Sequence, residues 1–145
     1  MKKVIGIIAG DPNSINSEII AKAWFKKNNF KKLNIFIIGS LFLLEKQISK
    51  IGYNIRLKKI DKFSNHNFKK NLYVYDVPLK FKDPFNISIK NKTHYIKESF
   101  RIASKLINEK KIIGLINCSI NKKDLSLKKK FNGVTEFLAK KNGIL

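Results

Sequence analysis

Three polar stretches carry most of the chemistry this sequence offers. The first, Gly10-Asp11-Pro12-Asn13-Ser14-Ile15-Asn16-Ser17-Glu18, follows a short apolar run and leads into residues at helical spacing. Backbone amides at a helix start can hold an anionic group, and Asp11 can position a polar substrate or a cofactor hydroxyl. The stretch has neither GxGxxG nor a Walker lysine, so it is no standard nucleotide fingerprint. A capped strand-to-helix turn without any ligand uses the same residues. In the second stretch, Asn117-Cys118-Ser119-Ile120-Asn121-Lys122-Lys123, Asn121 and Lys122 can bind a phosphate or carboxylate. Cys118 has no histidine near it in sequence and reads as a buried, inert thiol rather than a nucleophile. The third stretch, Gly133-Val134-Thr135-Glu136-Phe137-Leu138, offers the Thr135 hydroxyl either as a helix N-cap or to a ligand. His66 and His94 lack a partner at metal-ligand spacing, so surface roles are expected for both.

These stretches need elements to position them. The apolar run over 4–9 suits a strand buried on both faces. Ser17 is expected as the N-cap of a helix ending near Asn28, with Ile19, Ile20, Ala23 and Trp24 on its apolar face. Residues 34–38 read as a second strand, and Leu41, Leu44, Ile48 and Ile51 as a helical stripe closed by Gly52 at C′. Strands are expected over 54–60 and 72–77, then an irregular excursion over 79–91 with an Asp83-Pro84 turn. Tyr95, Ser99, Ile102, Ala103, Leu106 and Ile107 line one face of a long helix, about 93–109. A fifth buried strand over 112–116 and a last helix from about Thr135 to before Gly143 complete the series. Strands alternating with helices predict a single α/β unit over residues 1–145, a largely parallel sheet flanked by helices. Ligands of such sheets gather beyond the carboxyl ends of the strands, where the polar stretches fall.

Composition sets outer bounds. The chain has 145 residues, 43% hydrophobic and 28% charged, enough for one domain with a core. One cysteine excludes an internal disulfide framework and fits a reducing compartment. The apolar runs are shorter than the about 20 residues that span a bilayer, and no signal-peptide pattern is present, so a cytoplasmic protein is expected. The net charge of +21 would attract nucleic acid, anionic membranes or phosphorylated metabolites. However, 29 of the 31 basic residues are lysine, scattered in pairs, with only Arg56 and Arg101 as arginines. Nucleic-acid readers favour the bidentate guanidinium, so this pattern argues for a solvated lysine surface. Nucleic-acid binding is the weakest of the readings.

The three stretches, in this order and setting, resemble 4-hydroxythreonine-4-phosphate dehydrogenase of pyridoxal-phosphate biosynthesis. That family opens with a G-D-P-x-G-I-G-P-E loop, matched here by residues 10–18. It then has a T-G/A-P-I-N-K-like segment, matched by 117–122, and a G-H-T-E-[FIL]-L-A segment, matched by 133–139. The resemblance implies a fold similar to the N-terminal part of isocitrate and isopropylmalate dehydrogenases, within a dimeric two-domain subunit. It implies an oxidoreductase that uses NAD and a divalent metal to oxidise the hydroxyl of a phosphorylated threonine derivative. In the family, the histidine and threonine of the third segment contact substrate. Thr135 is retained here, whereas Val134 stands at the histidine position and can neither donate a hydrogen bond nor carry charge. Asp11 and Lys122 are further candidates for positioning polar groups of the substrate. Ser14, Asn16 and Ser17 replace two glycines and a proline of the first loop, and Ser119 replaces a proline of the second.

The family's metal-binding histidines, most cofactor contacts and phosphate-binding basic residues lie in the part that would follow Leu145. A truncated or fragmentary member, inactive alone, is therefore expected, with no metal site of its own. A non-catalytic remnant, or a half that pairs with a separately encoded C-terminal half, is the alternative.

Overall fold

The computed structural model describes residues 4–30, 32–61, 63, 66–125 and 134–141. The elements run β1 (Val4–Ile8), α1 (Asn16–Phe25), a 3-10 turn (Lys27–Phe30), β2 (Asn34–Gly39), α2 (Leu41–Lys50), β3 (Leu57–Lys59) and β4 (Leu72–Asp76). After these come α3 (Ile89–Asn108), β5 (Gly114–Asn117), α4 (Lys122–Leu125) and α5 (Val134–Lys141). The five strands form one sheet in the order β3-β4-β2-β1-β5, every neighbouring pair parallel. This is the α/β architecture that the alternation predicts.

Successive side chains of a strand point to opposite faces, so the sheet separates two cores. Val4, Ile8, Phe36 and Ile38 pack with Tyr95, Phe100, Ala103 and Leu106 of α3 and Phe137 of α5 on one side. Ile35, Ile37, Leu72 and Val74 pack with Ile20, Ala21 and Trp24 of α1 and Leu44 and Ile48 of α2 on the other. Cover on this second face is incomplete. Ile5 and Ile7 of β1 are only half-buried, so the first strand is fully covered on one face rather than both.

Several boundaries differ from the expected ones. α1 begins at Asn16 and buries Asn16, Ser17, Ile20, Ala21 and Trp24, leaving Ile19 and Ala23 exposed. Ser17 is thus a buried helical residue, not the cap. The entry is held instead by Ser14, whose Oγ accepts the Asn16 N–H at 3.1 Å. α3 starts at Ile89, earlier than expected, because Ser88 Oγ accepts the Asn91 N–H and caps it. β3 shrinks to three residues. β5 begins at Gly114 and is a partly exposed edge strand, not a buried one. α5 already includes Val134, so Thr135 lies within its first turn and is not the N-cap. Gly143 lies outside the described residues. Gly52 takes the C′ position of α2 at φ +87°.

Candidate functional site

The carboxyl ends of β1, β2, β4 and β5 carry a set of loops tied together by polar side chains. Gly10, directly after β1, has φ +78°, and a Cβ there would lie 2.5 Å from the Ser119 carbonyl oxygen and 2.6 Å from Asn16 Nδ2. Only glycine fits such a position. Asp11 follows and is held at four points. Its N–H donates to Ser119 O at 3.0 Å, and its carbonyl accepts from Ser14 N–H at 3.2 Å and Ser14 Oγ at 2.6 Å. Its Oδ1 accepts the Asn13 N–H at 2.9 Å, and its Oδ2 lies 3.5 Å from Lys92 Nζ. The Asp11 and Lys92 side chains are only 14% and 12% exposed, so the ion pair is well shielded from water.

Neighbouring side chains extend the clamp. Asn16 is buried; its Nδ2 donates to Ser119 O at 2.8 Å and its Oδ1 accepts from Ser119 Oγ at 3.0 Å. The loops after β1 and β5 are thereby joined across 103 residues of sequence. Asn13 makes a reciprocal pair with the Ile87 backbone, at 2.7 and 2.9 Å, and fastens the excursion before α3. Gln47, buried on α2, donates from Nε2 to the carbonyls of Pro12 and Pro84 at 2.7 and 2.6 Å. At the tip of β4, Asp76 Oδ1 accepts the Leu41 N–H at 2.9 Å, and Tyr95 Oη accepts the Ser40 N–H at 3.1 Å. Burial pushes the Tyr95 hydroxyl up to about 12, against the opposing pull of the Ser40 hydrogen bond.

Among the residues singled out from sequence, Asp11 is thus at the centre of this cluster. Lys122 is exposed at the start of α4, which packs against α3. Thr135 is exposed and Val134 half-buried on α5, which is anchored by Phe137 edge-on to Phe100 of α3 at 5.8 Å. Asp11 is joined directly to the Ser119 loop. No bond between Asp11, Lys122 and Thr135 is seen among the described residues. Cys118 is half-buried, and burial raises its thiol above the ordinary range, in keeping with an inert group. His94 is exposed. His66 differs from the surface role expected: its ring packs 4.6 Å from Tyr73 and 5.7 Å from Phe68. No group of three or more His, Cys, Asp or Glu side chains able to hold a metal occurs among the described residues. The residues described therefore do not fit a divalent ion by themselves.

Four contributors were missed from sequence: Asn13, Asn16, Gln47 and Lys92. Two left a signal. Gln47 falls between Leu44 and Ile48 on the apolar stripe of α2, and Lys92 stands three and four residues before Tyr95 and Ile96 on the buried face of α3. A polar residue on a buried helix face needs a partner, and here that partner is a loop.

The fold and the clamp define a parallel α/β unit whose polar groups converge beyond the strand ends, where such sheets generally take their ligands. The chain belongs to the family of pyridoxal phosphate biosynthetic protein PdxA, whose model matches residues 31–144. That match includes Lys122, Val134 and Thr135 and begins after the Asp11 loop. A 4-hydroxythreonine-4-phosphate dehydrogenase of Sulfurihydrogenibium sp. (strain YO3AOP1) is 32% identical over 96% of the chain. The crystal structure of a 4-hydroxythreonine-4-phosphate dehydrogenase from Burkholderia phymatum superposes on the whole chain with a TM-score of 0.85 at 23% identity. That of the Klebsiella pneumoniae enzyme covers 95% of the chain with a TM-score of 0.73 at 23% identity. The chain spans 42% of the Sulfurihydrogenibium protein and 45% of the Burkholderia one. Among the described residues no helix is long and apolar enough to cross a membrane.

Proposed function

We propose that residues 1–145 form the N-terminal α/β unit of a 4-hydroxythreonine-4-phosphate dehydrogenase-like oxidoreductase, and that this unit orients the phosphorylated substrate. Membership in the PdxA family, over residues 31–144, is the observation that carries this reading. NAD and a divalent metal, which the family resemblance implies for an intact enzyme, would there supply hydride acceptance and polarisation of the alcohol oxygen. The part played by this chain is binding and orientation. Thr135 offers its hydroxyl to the substrate from the first turn of α5. Val134 beside it adds no hydrogen bond, which weakens binding relative to a histidine by about 1–3 kcal/mol. Lys122 supplies positive charge to the phosphate. Asp11 is a fixed acceptor for a substrate hydroxyl or amine. Its pairing with Lys92 neutralises its charge, so it does not repel a phosphorylated ligand.

The reading predicts that the 145-residue chain binds 4-phosphooxy-threonine but releases no NADH from it in the presence of NAD and a divalent cation. Calorimetric titration checks binding, with Thr135→Ala and Lys122→Ala each expected to weaken it about ten-fold. Absence of binding by the folded chain would overturn the assignment. NADH production would overturn its inactivity alone. A second reading, a half that works by pairing with a C-terminal partner or with its own copy, is favoured by the 42–45% coverage of the relatives.

A further inference from the structure

We propose that a cavity between the end of α1 and the start of β2 is a second ligand site. Its ligand class is a small aromatic anion, one ring bearing a carboxylate or a phosphate. The cavity lies at the opposite end of the sheet from the clamp. Trp24 of the last turn of α1, Lys27 of the 3-10 turn, Leu33 and Ile35 at the start of β2, and Phe68 and Lys69 ahead of β4 line it. Asn16, in the clamp, and Trp24, in this wall, stand at opposite ends of α1, roughly 12 Å apart at about 1.5 Å per residue. The inference rests on no part of the proposed catalysis.

The path of the chain makes this space. Trp24 and Ile35 belong to the core under α1 and α2, whereas Phe68 belongs to the core on the α3 side. All three nevertheless line one cavity, because it lies at the amino end of β2, where the sheet stops separating the two cores. These three side chains are buried and form a fixed apolar wall, with the half-exposed Leu33 at the rim. The cavity measures about 240 Å3. Engineered apolar cavities of roughly 150 Å3 already take up benzene, so a ring with one substituent has room here.

Charge narrows the ligand further. Among the described residues of the wall, two are lysines and none is acidic. The Lys27 ammonium sits 4.4 Å from the centre of the Trp24 ring and donates to the Lys69 carbonyl oxygen at 3.3 Å. An ammonium group has three N–H donors, so this one bond leaves it able to hold an anion. The ring and the carbonyl also fix its position and shield it in part from water, which strengthens a charge-assisted bond to a ligand. Lys69, exposed at the mouth, adds a second positive charge. A neutral ring forgoes the Lys27 contact, and a free inorganic anion leaves Trp24 and Phe68 unused. The net charge of +21 draws any anion from a distance, whereas this wall discriminates among them.

Trp24 is the single tryptophan of the chain, so tryptophan fluorescence and the indole N–H resonance both report on this wall. Titration of the 145-residue chain with benzoate and with phenyl phosphate should shift both signals saturably, with a Kd of about 1 mM or tighter for the better of the two. Their order of affinity tells a carboxylate site from a phosphate site. Benzyl alcohol and inorganic phosphate should each bind at least about ten-fold more weakly. Lys27→Met, which keeps an apolar stem, should weaken the better ligand about ten-fold. Lys46→Met, which removes the ammonium over Phe42 on α2, should leave it unchanged. A shift that never saturates overturns the proposal, as does a Kd that Lys27→Met leaves unaltered. Benzyl alcohol binding as tightly as benzoate and phenyl phosphate overturns it too, because the cation would then select nothing. So does inorganic phosphate binding as tightly, because charge alone would then suffice. Should Lys27→Met fail to fold, Lys69→Met takes its place; a weakening of about three-fold is expected, and an unchanged Kd overturns the proposal.

Discussion

The two edges of the sheet are built on opposite principles. β3, at one end, is three residues long, and two of them are the exposed Lys58 and Lys59. Lys59 also lies 3.8 Å from Asp76 of the neighbouring β4. Such an edge resists pairing, because an added strand would have to desolvate ammonium groups. β5, at the other end, is uncharged, presents Ile116, and is anchored through the loop that follows it to the polar clamp around Gly10 and Asn16. In a chain of net charge +21, charge is therefore not spread evenly. One border of the sheet is closed to association, while the border next to the candidate site is left open.

Four substitutions break or sharpen this contrast. The largest effect is expected from Gly10→Ala, which forces a Cβ against the Ser119 carbonyl at positive φ and should cost about 2–3 kcal/mol in urea unfolding. Hydrogen exchange of β5 should rise in the same variant while β3 is unchanged; equal loosening of both edges would show that the clamp does not serve β5 in particular. Asn16→Ala removes two hydrogen bonds to Ser119 and leaves its carbonyl and hydroxyl short of partners, an expected loss of about 1–2 kcal/mol. Tyr95→Phe, which touches neither edge, removes the acceptor of the buried Ser40 N–H and should cost about 1 kcal/mol at neutral pH.

That variant also carries a pH signature. In the folded chain Tyr95 titrates at about 12, against an ordinary value of 10.0. Between these values the unfolded chain loses the proton first, so stability falls as pH rises from 10 towards 12. The stability that burial of the neutral hydroxyl confers is intact below pH 10. Urea midpoints across this range should fall less steeply for Tyr95→Phe than for the parent. The smallest effect belongs to the closed edge: Lys59→Ala breaks only an exposed pair and should change stability by less than about 0.5 kcal/mol. A larger loss would mean that β3 is stabilised by its charge rather than merely guarded by it.

Much of the molecule was legible in advance because its signals are local. The alternation of short apolar runs with helical stripes, such as Leu44 and Ile48 or Tyr95, Ser99 and Ile102, reports element type through side-chain period alone. The Asp83-Pro84 turn and Gly52 at C′ are equally local. The positioning of Asp11 beyond a strand end followed from the same reading. Its partners did not. Lys92 reaches Asp11 across 81 residues and Asn16 reaches Ser119 across 103, and Asn13 meets Ile87 across 74. Ser17 was misread for the complementary reason: a serine before an apolar stripe looks like a cap wherever it stands, and only the path of the loop decided that Ser14 closes the turn.

By itself, then, the sequence determined five strands, the helices between them and the three polar stretches, because hydrophobic period and turn chemistry act within a few residues. Tertiary structure alone decided the strand order β3-β4-β2-β1-β5. With it came the choice of β5 as an open border, and the union of the loops after β1 and β5 into one clamp. These depend on which surfaces meet after the chain has folded back on itself, and the free energy of that meeting is shared by residues far apart in sequence.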